Sequence, residues 1–257
     1  MKLIQELKKR IYKLIPTKTK FFIKQRMGIF IPPQKVDNNY KNLKIEEIFT
    51  KIYKEDLWGS LESKDNNKSF YSGPGSYNNT AVEYVELISN YINSNEINSI
   101  TDIGCGDFNI GSQICQRIKS VKYTGVDIVP SLIERNLLNY STDKINFICA
   151  NALKDEIPVS DLLLIRQVFQ HLSNEDIALI IKNVFPNFKY IIITEQQIKE
   201  KLLIKKNLNK PSGPGTRISL NSSVFLQDKP FCLRTKLILS AEDESNKKAE
   251  INSFLVY

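Results

Sequence analysis

From residue 97 onward, short apolar runs alternate with stretches of helical spacing. This alternation restricts the fold more than any other feature of the chain. The runs are "INSITDIG" (97–104), "VKYTGVDIV" (121–129), "INFICANAL" (145–153), "DLLLIRQ" (161–167) and "KYIIITEQ" (189–196). Helical stretches lie around 80–94, 109–120, 131–140 and 174–185. Runs this short and this apolar fit strands buried on both faces, which belong to a parallel sheet covered by helices. The fold class is therefore α/β, with a mostly parallel sheet. Beyond residue 195 the alternation stops. A Lys/Asn-rich helix or loop (198–210) leads to "PSGPGT". Two further strands, "FCLRTKLILS" and "INSFLVY", supply a final antiparallel hairpin strand. "SGPG" occurs at 72–75 and at 212–215, but the flanking residues differ. We read two independent tight loops rather than a repeat.

The charge is unevenly placed. Of 36 Lys/Arg, nine fall in residues 1–26; of 28 Asp/Glu, one does, which leaves 27 of each for the rest. The net charge of +8 therefore belongs to the N-terminal segment, and the body is formally neutral. A nucleic-acid enzyme is expected to carry a basic face on its catalytic body, so no nucleic-acid partner is expected. Residues 1–15 place Leu3, Ile4, Leu7, Ile11, Leu14 and Ile15 at helical spacing, with Lys8, Lys9, Arg10 and Lys13 between them and Pro16 after them. That is a basic amphipathic helix with apolar runs too short to span a bilayer. Two readings stay open. The helix packs on its own domain or a partner, or residues 1–26 make a peripheral contact with an anionic membrane.

Three segments follow: a basic extension (1–33, ending at Pro32 and Pro33), an N-terminal helical cap that covers a cofactor (34–96), and the catalytic domain (97–257). The four cysteines form no C-x-x-C pair and the chain has one histidine, so no metal is expected. With no signal-peptide pattern at its start, the chain reads as cytoplasmic with reduced thiols.

The first strand ends in "TDIGCGDFNIG", which holds Asp102, Gly104, Gly106 and Gly111. Such glycines let a turn pass close to a ligand and open a helix N-terminus beneath it. The second strand ends in "GVDIV". Its Asp127, 23 residues after Gly104, is placed to accept both hydroxyls of a ribose. A pyrophosphate binder normally shows G-x-G-x-x-G, and here Asn109 stands in the third position. Asp102 is awkward beside a pyrophosphate and suits a cation. An aminoacyl sulfonium cofactor carries an ammonium and no phosphate.

"D-I-G-C-G" followed by "G-V-D" resembles the first two motifs of class I S-adenosylmethionine-dependent methyltransferases. The resemblance implies their Rossmann-like fold and S-adenosyl-L-methionine as cofactor. "CANALKD" is similar to the family's adenine-edge segment, with Asn151 where Asp is usual. Upstream, "IFTKIYKEDLWGSLES" and "YSGPGSYNNT" resemble a segment of bacterial methyltransferases encoded with surface-polysaccharide genes. There a Trp-Gly pair and an S-G-x-G-S loop precede the first motif. Downstream, "DLLLIRQVFQHLS" is similar to their D-L-x-L-x-R-D-x-L-x-H-L turn, with Gln167 in place of Asp. "PGTRISL" and "KPFCL" resemble their late acceptor-side segment. The resemblance spans roughly residues 45–240. It implies cofactor contacts from Trp58, Ser72, Gly73, Gly75, Asp102, Gly104, Gly106, Asp127, Ile128, Asn151, Ala152, Arg166 and Gln167.

On the acceptor side, a hydroxyl needs a base near the transition state. His171 and Tyr71 are the candidates. His171 is read as lying in the helix that leaves the fourth strand. It is a general base, or it packs the turn "QHLSNED", where Ser173 and Asp176 have N-cap spacing. Arg166 and Arg217 are candidates to hold an acidic or phosphorylated acceptor, or are ordinary surface arginines. Trp58 and Tyr53 form a lid over the cofactor, or core packing.

Three functions compete. The first is an O-methyltransferase on a small, polar, nucleotide- or phosphate-linked acceptor of surface-glycan or capsule assembly, a sugar hydroxyl or a phosphoramidate. The second is an RNA or protein methyltransferase, although "RQVF" stands where a base-directed N-P-P-Y type motif would be. The third is a non-catalytic cofactor-binding module. The first is the function expected here.

Overall fold

Each apolar run becomes a strand of one sheet. The computed structural model describes residues 40, 42–60, 70–118 and 120–257. The basic extension and its membrane contact, expected within residues 1–33, lie outside the described residues. In chain order the elements of residues 42–257, which form one unit, are α1 (Ile45–Lys54), α2 (Asn79–Ser94), β1 (Ser99–Ile103), α3 (Asn109–Arg117), β2 (Lys122–Asp127), α4 (Pro130–Tyr140), β3 (Ile145–Cys149), β4 (Leu162–Arg166), α5 (Asn174–Asn183), β5 (Tyr190–Ile198), β6 (Thr235–Glu242) and β7 (Ala249–Val256). The sheet order is β3-β2-β1-β4-β5-β7-β6. The first five strands run parallel, and β7 is antiparallel to both β5 and β6.

The centre of the sheet explains the unbroken apolar runs. Leu162, Leu163, Leu164 and Ile165 of β4 are all fully buried, because neighbouring strands flank β4 and other elements cover both its faces. α2 begins where the Asn78 side chain accepts a hydrogen bond from the Ala81 N–H. Its stripe of Ala81, Tyr84, Val85, Ile88 and Ile92 joins Ile100, Leu162 and Ile192 in one core. Each valine, leucine or isoleucine among them contributes roughly 1.5–3 kcal/mol by leaving water. Part of the segment expected as a separate cap, residues 79–94, thus shares the sheet's own core.

Two expectations need correction. His171 is not in a helix; it ends a 3₁₀ turn, Phe169–His171, and α5 starts only at Asn174. The reason is that carbonyls a helix would use are taken from outside, those of Phe169 and Leu172 by Arg217 and that of His171 by the Gly213 N–H. Residues 231–234 are not strand, since the Phe231 and Cys232 N–H groups fold back on the Asp228 carbonyl. The segment 198–210, helix or loop by its sequence, begins at Ile198, the last residue of β5, and then runs as a loop with one short 3₁₀ turn, Glu200–Leu202.

The strand order changes direction between β1 and β4. Connections leaving these neighbours diverge and open a crevice at the strands' carboxyl ends. Gly104, Asp127 and Arg166 all stand at that edge.

Candidate functional site

A cavity of about 150 Å³ lies at this edge, lined by Asp102, Gly104, Asp127, Arg166, His171 and Trp58 among others. Gly104 has φ +75°, and a Cβ on it would collide with Val168 Cγ2. The turn therefore accepts a glycine and little else. Asp127 is buried and accepts from the Gly106 and Val129 N–H groups, each at 3.1 Å. Burial pushes its carboxyl up to about 6, against the pull of those amides. Burial likewise pushes Asp102 up to about 7, although the Tyr123 hydroxyl donates to it at 2.6 Å and Arg166 adds a positive charge. Two carboxylates of the cavity wall are thus short of compensating charge, and a cationic ligand would supply it.

The adenine-edge candidates Ile128, Asn151 and Ala152 also line the cavity. The Asn151 amide is already engaged, however. It donates to Glu46 at 2.9 Å and accepts from the Leu153 N–H at 2.9 Å. Glu46 comes from α1 and also meets Lys154 at 2.6 Å, and this lysine is the main reason its carboxyl falls to about 2.

The covering segment is tied down by one acid the sequence reading did not single out. Asp107 accepts from the Ser72 N–H and from the Tyr77 hydroxyl, both at 2.9 Å, while its own N–H donates to Ser72 Oγ at 2.8 Å. Ser72 Oγ also pairs with the Tyr53 hydroxyl at 2.9 Å. Gly75 accepts from Arg166 Nη2 at 2.8 Å, and its bare Cα makes room for the Gln167 amide. Gly73 and Gly75 therefore act behind the wall, while Ser72 and Gln167 form part of it. Gln167 has φ +55°, an uncommon conformation for a non-glycine residue, which turns the chain sharply out of β4.

The opposite wall is aromatic and amide. The Trp58 ring centroid lies 4.8 Å from that of His171 and 5.4 Å from that of Tyr53. Trp58 Nε1 donates to the Pro214 carbonyl at 3.1 Å. This bond ties the second SGPG loop to Trp58 of the cavity wall. His171 Nε2 is 3.2 Å from the Gln170 amide nitrogen, and the buried Nδ1 has no hydrogen-bond partner among the described residues. Enclosure by its neighbours, with the Lys210 charge second, lowers the imidazole to about 3, so the ring is neutral at physiological pH.

Two candidates are not in the wall. Arg217 is buried at 1 % exposure and its guanidinium is fully committed. It donates to the carbonyls of Leu208, Phe169 and Leu172 and to Asn174 Oδ1, at 2.7 to 3.0 Å. It is neither a surface arginine nor free to hold an acceptor. Tyr71 lies tilted against Tyr77, with ring centroids 5.1 Å apart, outside the cavity, and burial shifts its hydroxyl upward, so it stays protonated rather than serving as a base.

Besides Asp107, sequence reasoning missed Glu46, Gln170 and Glu195. Glu195 is buried and accepts from the Phe169 and Gln170 N–H groups at 2.8 and 2.9 Å. Its signal was legible: a carboxylate directly after the apolar run "IIIT" of the fifth strand. Glu46 had none, because its partners lie over 100 residues away. Among the described residues no group of three His, Cys, Asp or Glu side chains is placed to hold a metal ion. None of their helices is long and apolar enough to cross a membrane.

Residues 100–189 match a family model described as a methyltransferase domain. No curated protein sequence matches the chain. Among solved structures it is similar to human N-acetylserotonin methyltransferase in complex with SAM, at 13% identity over 85% of this chain and 61% of that one, with a TM-score of 0.48. An O-methyltransferase family protein from Burkholderia thailandensis matches at 10% identity over 69% and 55%, TM-score 0.48. The plantazolicin methyltransferase BpumL, in complex with a monoazolic desmethylPZN analog and SAH, matches at 15% identity over 87% and 99%, TM-score 0.48. The chain thus spans little more than half the length of the first two.

Proposed function

We propose that the chain, whose residues 100–189 match a model of a methyltransferase domain and whose mostly parallel sheet is Rossmann-like, is an S-adenosylmethionine-dependent O-methyltransferase acting on a small polar acceptor. One observation carries this reading. Asp102 and Asp127, at the ends of adjacent strands, flank the Gly104 turn in the same cavity whose far wall is His171. The cofactor, when bound, supplies a methyl group already activated on a sulfonium.

The residues of the chain then have limited work to do. Asp102 suits the cofactor's ammonium and Asp127 its ribose hydroxyls, and both carboxylates regain a charge partner or donors that burial denied them. Trp58 and Tyr53 keep water from the reacting atoms. The neutral His171 accepts a hydrogen bond from the acceptor hydroxyl at Nε2, in place of the Gln170 amide, and aligns its oxygen. An imidazole so weakly basic takes the proton only late, as the oxygen becomes positively charged during transfer.

The acceptor class rests on the sequence resemblance and on the wall facing the donor. Gln167, Gln170 and His171 offer neutral hydrogen-bonding groups beside the Trp58 ring, which favours a sugar-type hydroxyl. Arg166 is the one cation among the described lining residues and is held by Gly75 and Gln167. With Arg217 withdrawn, little favours the phosphate-linked form of the acceptor or a phosphoramidate, and the surface-glycan setting rests on the resemblance alone. The test is transfer of a labelled methyl group from S-adenosylmethionine to matched panels of free and nucleotide-activated sugars. Turnover of neutral sugars is the expected result. Intact cofactor binding without turnover of either panel would discard the acceptor class.

A further inference from the structure

The mechanism above uses the turn Phe169–His171 and leaves unexplained a buried acid and a buried arginine behind it. Glu195, on β5, receives the N–H groups of Phe169 and Gln170, one on each carboxylate oxygen. Arg217, 22 residues further along the chain, donates to the carbonyls of Phe169 and Leu172 on the same turn. It also reaches Asn174 Oδ1 in the first turn of α5. Both side chains are 1 % exposed. Burial pushes the Glu195 carboxyl up to about 7, against the pull of the Phe169 and Gln170 amides and then of the Arg217 charge. The loop ahead of Arg217 adds three more ties. The Gly213 N–H and Lys210 Nζ both donate to the His171 carbonyl, and Ser212 Oγ accepts from the Ser173 N–H.

We infer that Glu195 and Arg217 are a pair of positioning residues, gripping the amides and the carbonyls of one turn so that Gln170 and His171 face the methyl-donor cavity. This inference rests on reading that cavity as the donor site. Two buried ionic groups are an expensive way to stabilise a turn, since apolar residues of similar volume often serve stability as well or better. Their geometry supplies direction instead. A carboxylate alone accepts two neighbouring N–H groups through two equivalent oxygens, and a guanidinium alone forks to several carbonyls at once. Without them the turn would be free to continue as helix into α5, which would rotate His171 away from Trp58.

The chain offers a site-specific readout, because His171 is its only histidine and Trp58 its only tryptophan. The experiment compares the full chain with Glu195→Gln. This isosteric change leaves an amide N–H₂ facing a backbone N–H and removes one acceptor. Binding of S-adenosylhomocysteine is followed by calorimetry, and the imidazole resonances by NMR as pH is varied. The expected result is S-adenosylhomocysteine affinity within about twofold of wild type, with the His171 midpoint moving from about 3 towards the ordinary 6.5 as the ring leaves its enclosure. A shifted Trp58 emission maximum should accompany it. Arg217→Lys, which keeps the charge and loses the fork, should move both signals in the same direction, and decides the matter if Glu195→Gln does not fold. Unchanged His171 and Trp58 signals in a folded variant, with only a lower melting temperature, would overturn the inference and leave the pair as structural. Failure of the wild-type chain to bind S-adenosylhomocysteine would instead sink the donor-site reading itself.

Discussion

Two strand-to-helix turns face each other across the cavity, and they are held in opposite ways. The turn after β1 is fixed mainly through backbone groups. Gly104 takes a left-handed conformation, its N–H bonds to the Val126 carbonyl of the adjacent strand, and Gly106 donates to Asp127. The turn after β4 is fixed by buried ionic side chains, Glu195 on the adjacent strand β5 and Arg217 in the late loop. Under the proposed function, the first turn would meet the donor through backbone geometry, which depends on few side chains, and the second would meet the acceptor through a turn held by buried charges.

If the turn after β4 depends on remote charges, Arg217→Leu should have the largest effect on stability. It strands several buried carbonyls and the Glu195 charge, at a cost of roughly 3–5 kcal/mol, read by denaturant unfolding. A loss under 1 kcal/mol would show that the turn holds itself. On the other side, Gly104→Val should act on binding. Left-handed strain of about 1–2 kcal/mol adds to overpacking of about 1–3 kcal/mol against Val168. If that cost falls on binding, it corresponds to a loss of S-adenosylhomocysteine affinity of about 30-fold to a few thousand-fold by calorimetry. Near-normal affinity would mean that the turn is not the donor cradle.

Asp127→Asn sharpens the same side. Hydrogen bonds to a charged group contribute about 1.5–3 kcal/mol, so affinity for S-adenosylhomocysteine should fall about 10- to 100-fold. A pH effect should separate the two walls next. His171 is neutral in the folded chain down to about pH 3 and ordinary, near 6.5, when unfolded. Below pH 6.5 the unfolded chain therefore binds a proton that the folded chain refuses, and stability falls as pH drops from 6.5 towards 3. His171→Gln lacks this loss, so any melting-temperature advantage of wild type over the variant should shrink across that window. Parallel curves would place the ring in solvent. The smallest effect is expected from Glu46→Gln, whose ion pair with Lys154 is largely exposed. About 0.2–1 kcal/mol of stability should be lost, with cofactor affinity changed less than about fivefold. A larger loss of affinity would promote α1 from cover to binding element.

The sheet, its parallel core strands and the glycine turn were legible because they depend on neighbours in sequence. Asp102, Gly104 and Asp127 could be placed from strand ends alone. Arg217 could not. Its residue type suggested a ligand-binding cation, and only the path of the 207–217 loop showed the guanidinium filled by carbonyls of the chain itself. Tyr71 has the right chemistry for a base and the wrong position, tilted against Tyr77 outside the cavity. His171 lines the cavity, yet its helical placement failed because bonds from residues some 40 positions later cut the helix short.

The sequence by itself determined an α/β sheet with a glycine turn and two acids at its edge, since hydrophobic periodicity and turn chemistry act over a few residues. Only the tertiary structure decided which charges face a ligand and which face the protein. A buried ionic side chain takes whatever partners the fold brings within about 3 Å, and those partners, Glu195 for one turn and Arg217 for the same turn, come from segments that no local pattern connects.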